Sequence, residues 1–270
     1  MKRREKGQYE ISYQPTIKGK HELHIKVDSQ HIPGSPVSVV TTGKSPVERF
    51  GMPILTINGV KTAEGIALNR KGEVVVTEWK GHCAHVFHCS GKKLLSFGTY
   101  GSGHGQLLNP RAVAMDDKGD VLVADSSNHR IQKFTAEGQF LSAVGSKGSG
   151  PLQFINCNGI AFNRSNNKVY AVDKNDRVQI LNSDLTFSSM FGKKGKDNGQ
   201  FDNPSGITCD DTGNVYVAEQ NNHRIQVFTP EGTFLRTFGT YGTGREQLYR
   251  PGSVAVDANG FVYVLSLIHI

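Results

Sequence analysis

The chain has 270 residues and a formal net charge of +7, and 37% of its residues are apolar. No apolar run approaches the roughly 18 residues that a membrane-spanning helix needs, which excludes a helical membrane protein. The modest basic excess permits nucleic acid or acidic proteins as partners but requires neither.

Four cysteines in a chain of this length do not indicate a disulfide framework. The basic segment Met1–Lys6 is followed by polar residues, where a signal peptide would have an apolar core. We therefore expect reduced thiols and a cytoplasmic location.

The N-terminal segment alternates apolar and polar residues in short runs, which is the periodicity of half-buried β-strands. Two of the runs are Tyr9–Tyr13 and Leu23–Val27, and the sequence Ile32-Pro33-Gly34-Ser35-Pro36 follows them. This segment resembles the last three strands of a filamin-type immunoglobulin repeat, a sandwich that needs about seven strands. We expect residues 1–43 to form an incomplete filamin-type segment of a longer protein. Residues 44–62 are predicted to be a linker with a short lead-in strand at Ile54–Ile57.

From Ala63 to Val264 the sequence repeats with a period of 47 residues. Five aliphatic residues mark this spacing: Ile66, Val113, Ile160, Ile207 and Val254. Each period holds four short runs rich in Val, Ile, Tyr and Phe, and turn residues separate them. Four strands per period are typical of a β-propeller blade. We predict an all-β propeller with blades at 63–109, 110–156, 157–203 and 204–250, and a partial fifth blade at 251–264.

Two further features recur in each period. Glycines such as Gly119 and Gly138 occupy hairpin positions that need a positive φ. An acidic residue ends each second strand, and we expect its carboxylate to accept backbone amides of the following loop. A ring of these acids around calcium in a central channel is the alternative. The four acids are Glu78, Asp125, Asp173 and Glu219.

The third strand opens with Asn-His-Arg-Ile-Gln at Asn128–Gln132 and again at Asn222–Gln226. With Val-Tyr-Val-Ala-Glu before it and Phe-Gly after it, this pattern resembles the NHL repeat. The resemblance recurs in every period, and it implies a ring of six blades. The chain would then contain four complete blades and part of a fifth.

In the first repeat, His82-Cys83-Ala84-His85-Val86-Phe87-His88-Cys89 resembles a zinc-ligand spacing. The repeat register makes this segment a third strand, in which side chains alternate between two faces. Cys83 and His85 would then point away from His82 and His88, so we expect no zinc site here. Cys157 and Cys209 are interpreted as small core residues rather than nucleophiles.

A propeller brings the loops between blades and the loops between the second and third strands to one face. These loops vary between repeats and carry aromatic and basic residues of the kind that dominate binding surfaces. The candidate binding residues are Trp79, Lys80, Tyr100, Arg111, Lys147, Lys174, Lys193, Lys194, Gln220, Asn221, Tyr241, Arg245, Tyr249 and Arg250.

A filamin-type segment followed by NHL repeats resembles the C-terminal half of tripartite-motif (TRIM) proteins. The resemblance implies a parent RING-type E3 ubiquitin ligase that forms oligomers through a coiled coil. In such a parent, the propeller recruits the protein substrate or, in some members, an mRNA. Zinc would belong to the RING and B-box modules. The RING pattern is not in this sequence, so we expect neither a catalytic site nor a cofactor in this chain.

Three functional hypotheses follow from the sequence. The favoured one is a protein-recognition module of a ubiquitin ligase. The second is single-stranded RNA binding by the same loop face, because basic and aromatic surfaces also suit RNA. The third is a metal-dependent propeller enzyme.

Overall fold

The protein is described here by a computed structural model. It describes the backbone of residues 9–16, 20–27, 30–31 and 37–39, and also the side chains of residues 59–69, 72–244 and 246–267. Within these residues, every regular element is a β-strand apart from a 3-10 turn at Ser126–Asn128.

The N-terminal strands form an antiparallel sheet centred on the second strand, which pairs with the other three. The strands are β1 (Tyr9–Thr16), β2 (Lys20–Val27), β3 (Gln30–His31) and β4 (Val37–Val39). The three strands expected from the sequence are present, and β3 is an additional strand of two residues. The predicted lead-in strand Ile54–Ile57 lies outside the described residues.

Four antiparallel sheets of four strands follow, each in chain order, and a hairpin begins a fifth. The strands are β5 (Ala63–Leu68), β6 (Val74–Glu78), β7 (Cys83–Phe87) and β8 (Lys93–Phe97) in blade 1; β11 (Pro110–Met115), β12 (Val121–Asp125), β13 (Arg130–Phe134) and β14 (Phe140–Val144) in blade 2; β17 (Gly159–Asn163), β18 (Lys168–Asp173), β19 (Arg177–Asn182) and β20 (Phe187–Phe191) in blade 3; β21 (Pro204–Cys209), β22 (Val215–Glu219), β23 (Arg224–Phe228) and β24 (Phe234–Phe238) in blade 4; and β27 (Ser253–Val256) and β28 (Val262–Leu265) in the fifth sheet. The predicted propeller architecture is confirmed.

Short parallel strand pairs occur in three of the loops that connect one blade to the next. They are β9 (Thr99–Tyr100) with β10 (Gln106–Leu107), β15 (Ser146–Lys147) with β16 (Gln153–Phe154), and β25 (Thr240–Tyr241) with β26 (Gln247–Leu248). In the loop from blade 3 to blade 4, a single bridge joins Lys194 and Phe201. Each connection is therefore folded back on itself.

The second strand of a blade is buried at every position in blades 1, 2 and 4. Both of its faces are covered because neighbouring blades pack against it, which explains its nearly continuous apolar sequence. Aromatic rings fill the space between blades. The rings of Phe97 and Phe134 lie 4.7 Å apart between blades 1 and 2, and those of Phe191 and Phe228 lie 4.9 Å apart between blades 3 and 4.

The hairpin glycines have a second role that the sequence did not indicate. Gly138 has the expected positive φ of 80°. A Cβ at this position would lie 2.7 Å from Cβ of Phe97 in the preceding blade, so glycine also permits the blades to approach. At the corresponding turn of blade 3, Leu185 takes a φ of 69° and buries its side chain.

Candidate functional site

The loops predicted to share one face are joined there by backbone hydrogen bonds. We call this surface the loop face. It consists of the connections between blades (98–109, 145–158, 192–203 and 239–252) and the turns between second and third strands (79–82, 126–129, 174–176 and 220–223). In blade 2 the amide of Ser127 donates to the carbonyl of Leu108 at 3.1 Å, and in blade 3 Lys174 donates to Ile155 at 2.8 Å.

The acid at the end of the second strand anchors this face. In blade 2, the buried carboxylate of Asp125 accepts the backbone amide of Leu108 at 2.7 Å. It also accepts side-chain bonds from Asn128 at 2.9 Å, Arg130 Nε at 2.7 Å and Gln132 at 2.9 Å. We call this arrangement the acid clamp. These donors offset the cost of burying the carboxylate, which is large unless the charge is paired and hydrogen-bonded.

The clamp also fixes the connection between blades. Arg130 donates to the carbonyls of Ser102, Gly103 and Gln106 at 2.7–2.8 Å. Gln132 donates to the carbonyl of Gln106 at 2.6 Å and accepts from the amide of Gly105. These otherwise unpaired loop carbonyls are thereby satisfied, which holds the loop in one conformation.

The same clamp recurs in blade 4, and a partial one is present in blade 3. Glu219 accepts from the amide of Asp202 at 3.1 Å, from Asn222 at 2.6 Å, and from Arg224 and Gln226 at 2.7 Å each. The Asn, Arg and Gln of the NHL-like pattern are therefore structural in these blades.

The clamp of blade 3 is looser. Arg177 Nε lies 3.8 Å from Asp173 and has no hydrogen-bond partner. Burial raises the pKa of the Asp173 carboxyl, although bonds from Asn175 act in the opposite direction.

The geometry corrects one expectation from the sequence. We expected the acid to accept amides of the loop that follows it, and only Asp173 does so, from the amide of Asn175 at 3.0 Å. In every blade the acid accepts an amide 17 or 18 residues earlier in the chain, such as Lys61 to Glu78 in blade 1. None of the four acids lines the central cavity, where the alternative calcium ring would require them.

A second recurring contact joins each blade to the next. His82, His129 and His223 have left-handed backbone conformations, with φ of 54–57°. The Nδ1 atom of His129 accepts the amide of Asn156 at 3.0 Å, and that of His223 accepts the amide of Arg250 at 3.0 Å. We call this contact the blade clip.

In blade 3, Asp176 replaces the histidine of the blade clip and accepts the amide of Asn203 at 2.7 Å. The clip histidines of blades 2 and 4 each use Nδ1 as an acceptor. Burial lowers the pKa of His129 and His223, and the charges of Lys147 and Arg250 lower these pKa values further.

One loop-face position is exposed in all four blades and is occupied by tyrosine in blades 1 and 4 and by lysine in blades 2 and 3. Tyr100, Lys147, Lys194 and Tyr241 stand 47 residues apart. The side chain of Tyr100 is 71% exposed and that of Tyr241 is 67% exposed. Each tyrosine ring packs edge-on against the clip histidine of its own blade, with ring centres 5.0 Å apart. The clip contacts the connection that carries each of these side chains, and the clamps of blades 2, 3 and 4 also hold the connections that carry Tyr100, Lys147 and Lys194.

Blade 4 brings several of the predicted residues together. Tyr249 stacks on His223 with ring centres 5.5 Å apart, and it meets Tyr241 edge-on at 5.8 Å. Arg250 reaches Gln220 across the same corner at 3.4 Å. His223 was not among the predicted binding residues, although its place beside two variable aromatic positions could have been inferred from the repeat register.

Most predicted binding residues are exposed on the loop face. The exposed ones are Lys80, Tyr100, Lys147, Lys174, Lys193, Lys194, Asn221, Tyr241, Tyr249 and Arg250. Trp79 and Gln220 are half-buried on the same face. Arg245 lies outside the described residues. Blades 2 and 3 hold four of the lysines, and the exposed tyrosines lie in blades 1 and 4.

Arg111 was assigned to the loops, and this assignment is wrong in detail. It lies on the first strand of blade 2, at the lining of a central cavity of about 500 Å³ formed by the first strands. Its guanidinium donates to Asn158 at 3.2 Å and lies 3.8 Å from Glu64. Glu64, Arg111 and Asn158 stand 47 residues apart, so they occupy equivalent positions in blades 1, 2 and 3.

Two of the cysteines lie at the hydrophobic core. Cys157 is fully buried, and burial raises the pKa of its thiol well above the usual range. Cys209 is half-buried and packs against the core between blades 3 and 4. Burial raises the thiol pKa of Cys209 as well. Both residues therefore fit the interpretation as small core residues.

Two known families match the sequence. The NHL repeat matches residues 107–134 and 201–228, which cover the connection, clamp and third strand of blades 2 and 4. The chain therefore contains NHL repeats. The Filamin/ABP280 repeat matches residues 1–38 of the same chain.

A curated relative of the chain is "E3 ubiquitin-protein ligase TRIM71" from Rattus norvegicus. The two are 34% identical over 88 residues, which cover 30% of this chain and 10% of the relative. The chain thus spans only about a tenth of the relative that it matches. The filamin repeat, the NHL repeats and this relative together support the interpretation as the C-terminal part of a TRIM-NHL protein.

Solved structures confirm the propeller fold of the chain. A streptogramin B lyase structure superposes with a TM-score of 0.58 at 18% identity, covering 76% of this chain and 62% of that chain. Virginiamycin B lyase from Staphylococcus aureus gives 0.57 at 18% identity, covering 96% and 78%. The RRP9 WD40 repeats give 0.54 at 14% identity, covering 67% and 52%. At these identities the likeness concerns the fold alone.

No helix in the described part of the chain combines the length and the apolar character that a bilayer crossing requires.

Proposed function

We propose that the loop face is the protein-recognition surface through which a TRIM-NHL ubiquitin ligase binds its substrate. The observation that carries this proposal is the exposed position shared by Tyr100, Lys147, Lys194 and Tyr241. Tyrosine is enriched among the residues that dominate binding energy at protein interfaces. Two exposed tyrosines, each packed against a clip histidine, offer such contacts with little loss of conformational entropy.

The ligase role rests on the relative and on the order of modules. NHL repeats follow a filamin repeat here, and the match is to a protein named as an E3 ubiquitin ligase. In this proposal the chain supplies recognition, and the parent's RING supplies ubiquitin transfer. A cytoplasmic location belongs to the same proposal, and the four free cysteines of the chain support it.

The test is a selection of binding peptides from a random display library against the purified chain. Selected peptides should bind at least about tenfold more weakly to the Tyr100→Ala/Tyr241→Ala variant, because loss of a dominant contact costs 2 kcal/mol or more. Leu141→Ala is the matched control, since Leu141 is 47% exposed on an outer strand away from the loop face. Equal binding of the peptides to all three proteins would refute the proposal.

RNA binding is a second candidate, and the lysines favour it. Lys147, Lys174, Lys193 and Lys194 are exposed on blades 2 and 3, and exposed tyrosines flank them in blades 1 and 4. Lysines that neutralise phosphates and aromatic rings that stack on bases are the usual elements of single-strand binding.

Fluorescence anisotropy with a single-stranded RNA of mixed sequence, titrated at several salt concentrations, tests this candidate. Affinity should fall as salt rises, with a slope of about 0.7 per phosphate contacted. Lys147→Glu/Lys194→Glu should weaken binding and reduce the slope. No binding at low salt would exclude RNA and leave the peptide test unaffected.

A further inference from the structure

Blade 1 lacks the donors that complete the acid clamp elsewhere. Its acid, Glu78, is present and accepts the amide of Lys61 at 3.0 Å, as in the other blades. The three side-chain donors are all replaced: Gly81 stands for the asparagine, Cys83 for the arginine and His85 for the glutamine. Two amides and a guanidinium are thus exchanged for a thiol and an imidazole around one buried carboxylate.

The replacement side chains converge on Glu78. Cys83 and Glu78 are paired across strands β6 and β7, and His85 follows two residues later on the same face. His85 Nε2 lies 2.8 Å from Glu78 Oε2 and 3.5 Å from Cys83 Sγ. All three potential ligand atoms lie within 4.8 Å of one another. Glu78 and His85 are buried and Cys83 is half-buried, which leaves one side open to solvent.

We propose that Glu78, Cys83 and His85 form a zinc-binding site in blade 1, with water completing the coordination. Thiolate, imidazole and carboxylate are the three ligand types that zinc takes from proteins. Bond lengths of about 2.3 and 2.05 Å at a tetrahedral angle place sulfur and nitrogen about 3.6 Å apart, close to the distance found. The contact between His85 and Glu78 would have to open by about half an ångström to admit the ion.

The surroundings suit a metal ligand set. The other ring nitrogen of His85, Nδ1, lies 2.8 Å from the hydroxyl of Ser96. A metal-bound histidine usually donates its second N–H to such an acceptor, which fixes the ring. Gly81 leaves room beside the carboxylate, because a Cβ there would lie 2.7–2.9 Å from the Glu78 side chain.

Charge balance gives the same assignment. In blade 2, one arginine neutralises one buried carboxylate. In blade 1, the arginine is absent and a second acidic group, the Cys83 thiol, takes its place. When zinc binds, the thiol proton leaves to solvent, and the two negative ligands neutralise the 2+ ion. The metal thus performs the task of the missing guanidinium.

The other candidate ligands of this repeat do not belong to the site. His82 Nδ1 accepts the amide of Asn109 in the blade clip. His88 and Cys89 are exposed beyond the end of the strand and contact each other and Ser90. The alternation predicted for this strand is therefore confirmed, but the prediction of no zinc site overlooked Glu78, which lies in the neighbouring strand.

Cobalt(II) is the probe, because a cobalt–thiolate bond produces a charge-transfer absorption that other ligands do not. The purified chain should bind about one equivalent, show this band, and lose it when zinc is added. Cys83→Ser should abolish the band and His85→Gln should weaken binding. Ser96→Ala should weaken it by about tenfold or more. Cys89→Ser, which removes an exposed thiol six residues away, should leave both band and affinity unchanged.

A further variant keeps the proposal testable if the single changes disturb folding. Cys83→Arg/His85→Gln restores the arginine and glutamine of blades 2 and 4, so it should fold and bind no metal. Absence of a thiolate band in the unmodified chain would overturn the proposal. So would a band that survives in this double variant, or one that is lost in Cys89→Ser.

Discussion

Arg130→Met tests whether the acid clamp holds the blades together. Arg130 pairs with Asp125 at 2.7 Å, and the two side chains are 13% and 0% exposed. It also donates to three carbonyls of the connection from blade 1. Methionine keeps most of the aliphatic stem and removes the charge and all four bonds.

The expected loss is about 3 kcal/mol of unfolding free energy. Removing one partner of a buried ion pair costs about 3–5 kcal/mol, because the other charge is left uncompensated. The lower end applies here since Asp125 retains the donors Leu108, Asn128 and Gln132. Asp125→Asn added to Arg130→Met should recover part of the loss, because it removes the uncompensated charge.

Urea unfolding provides the measurement. It should be followed by far-ultraviolet circular dichroism and by the fluorescence of Trp79, the single tryptophan. Coincident transitions would establish that one free energy describes the unfolding. Arg164→Met is the matched control: its ion pair with Asp117 is 3.1 Å long, but the side chains are 43% and 38% exposed. Such exposed pairs contribute about 0–1 kcal/mol. Equal losses in the two variants would refute the structural role of the clamp.

Two further predictions concern contacts between blades. The pKa values of His129 and His223 are lowered in the folded protein. The unfolded chain therefore binds protons more readily, and the free energy of unfolding should fall as the pH drops below about 6.5, the histidine pKa in the unfolded chain. The His129→Asp/His223→Asp variant copies Asp176 of blade 3 and should flatten the pH dependence of the urea midpoint between about pH 7 and 5, whereas an unchanged slope would contradict the clip. Tyr170 is fully buried and donates to the carbonyl of Pro230 in blade 4 at 2.8 Å. Tyr170→Phe should therefore cost about 1–3 kcal/mol in the same urea assay, because it leaves that carbonyl unpaired; a loss below about 0.5 kcal/mol would argue against this bond.

The blade architecture could be predicted because its determinants are local. Strand alternation, turn residues and a constant 47-residue spacing all lie within a few neighbouring positions. The four strands predicted for each period are present in all four blades. Positive φ at Gly119 and Gly138 was likewise predictable from hairpin geometry alone.

The hydrogen bonds of the acidic position depend on contacts between distant parts of the chain. The repeat predicted a structural carboxylate but assigned its amide donor to the wrong loop, since the true donor lies 17 or 18 residues earlier in the chain. After the last strand of the fifth sheet, Ser266 stands at the position of the acid. The structure shows that its hydroxyl takes over part of that task, accepting the amide of Tyr249 at 2.8 Å.

The sequence by itself determined the strands, their grouping into blades and the face on which the variable loops lie, because each depends on side-chain periodicity and turn chemistry. Only the tertiary structure decided that Arg111 lines the central cavity and that Glu78 joins Cys83 and His85. These contacts depend on how strands and blades are placed beside one another. That placement is fixed by packing between segments far apart in the chain, and no local pattern records it.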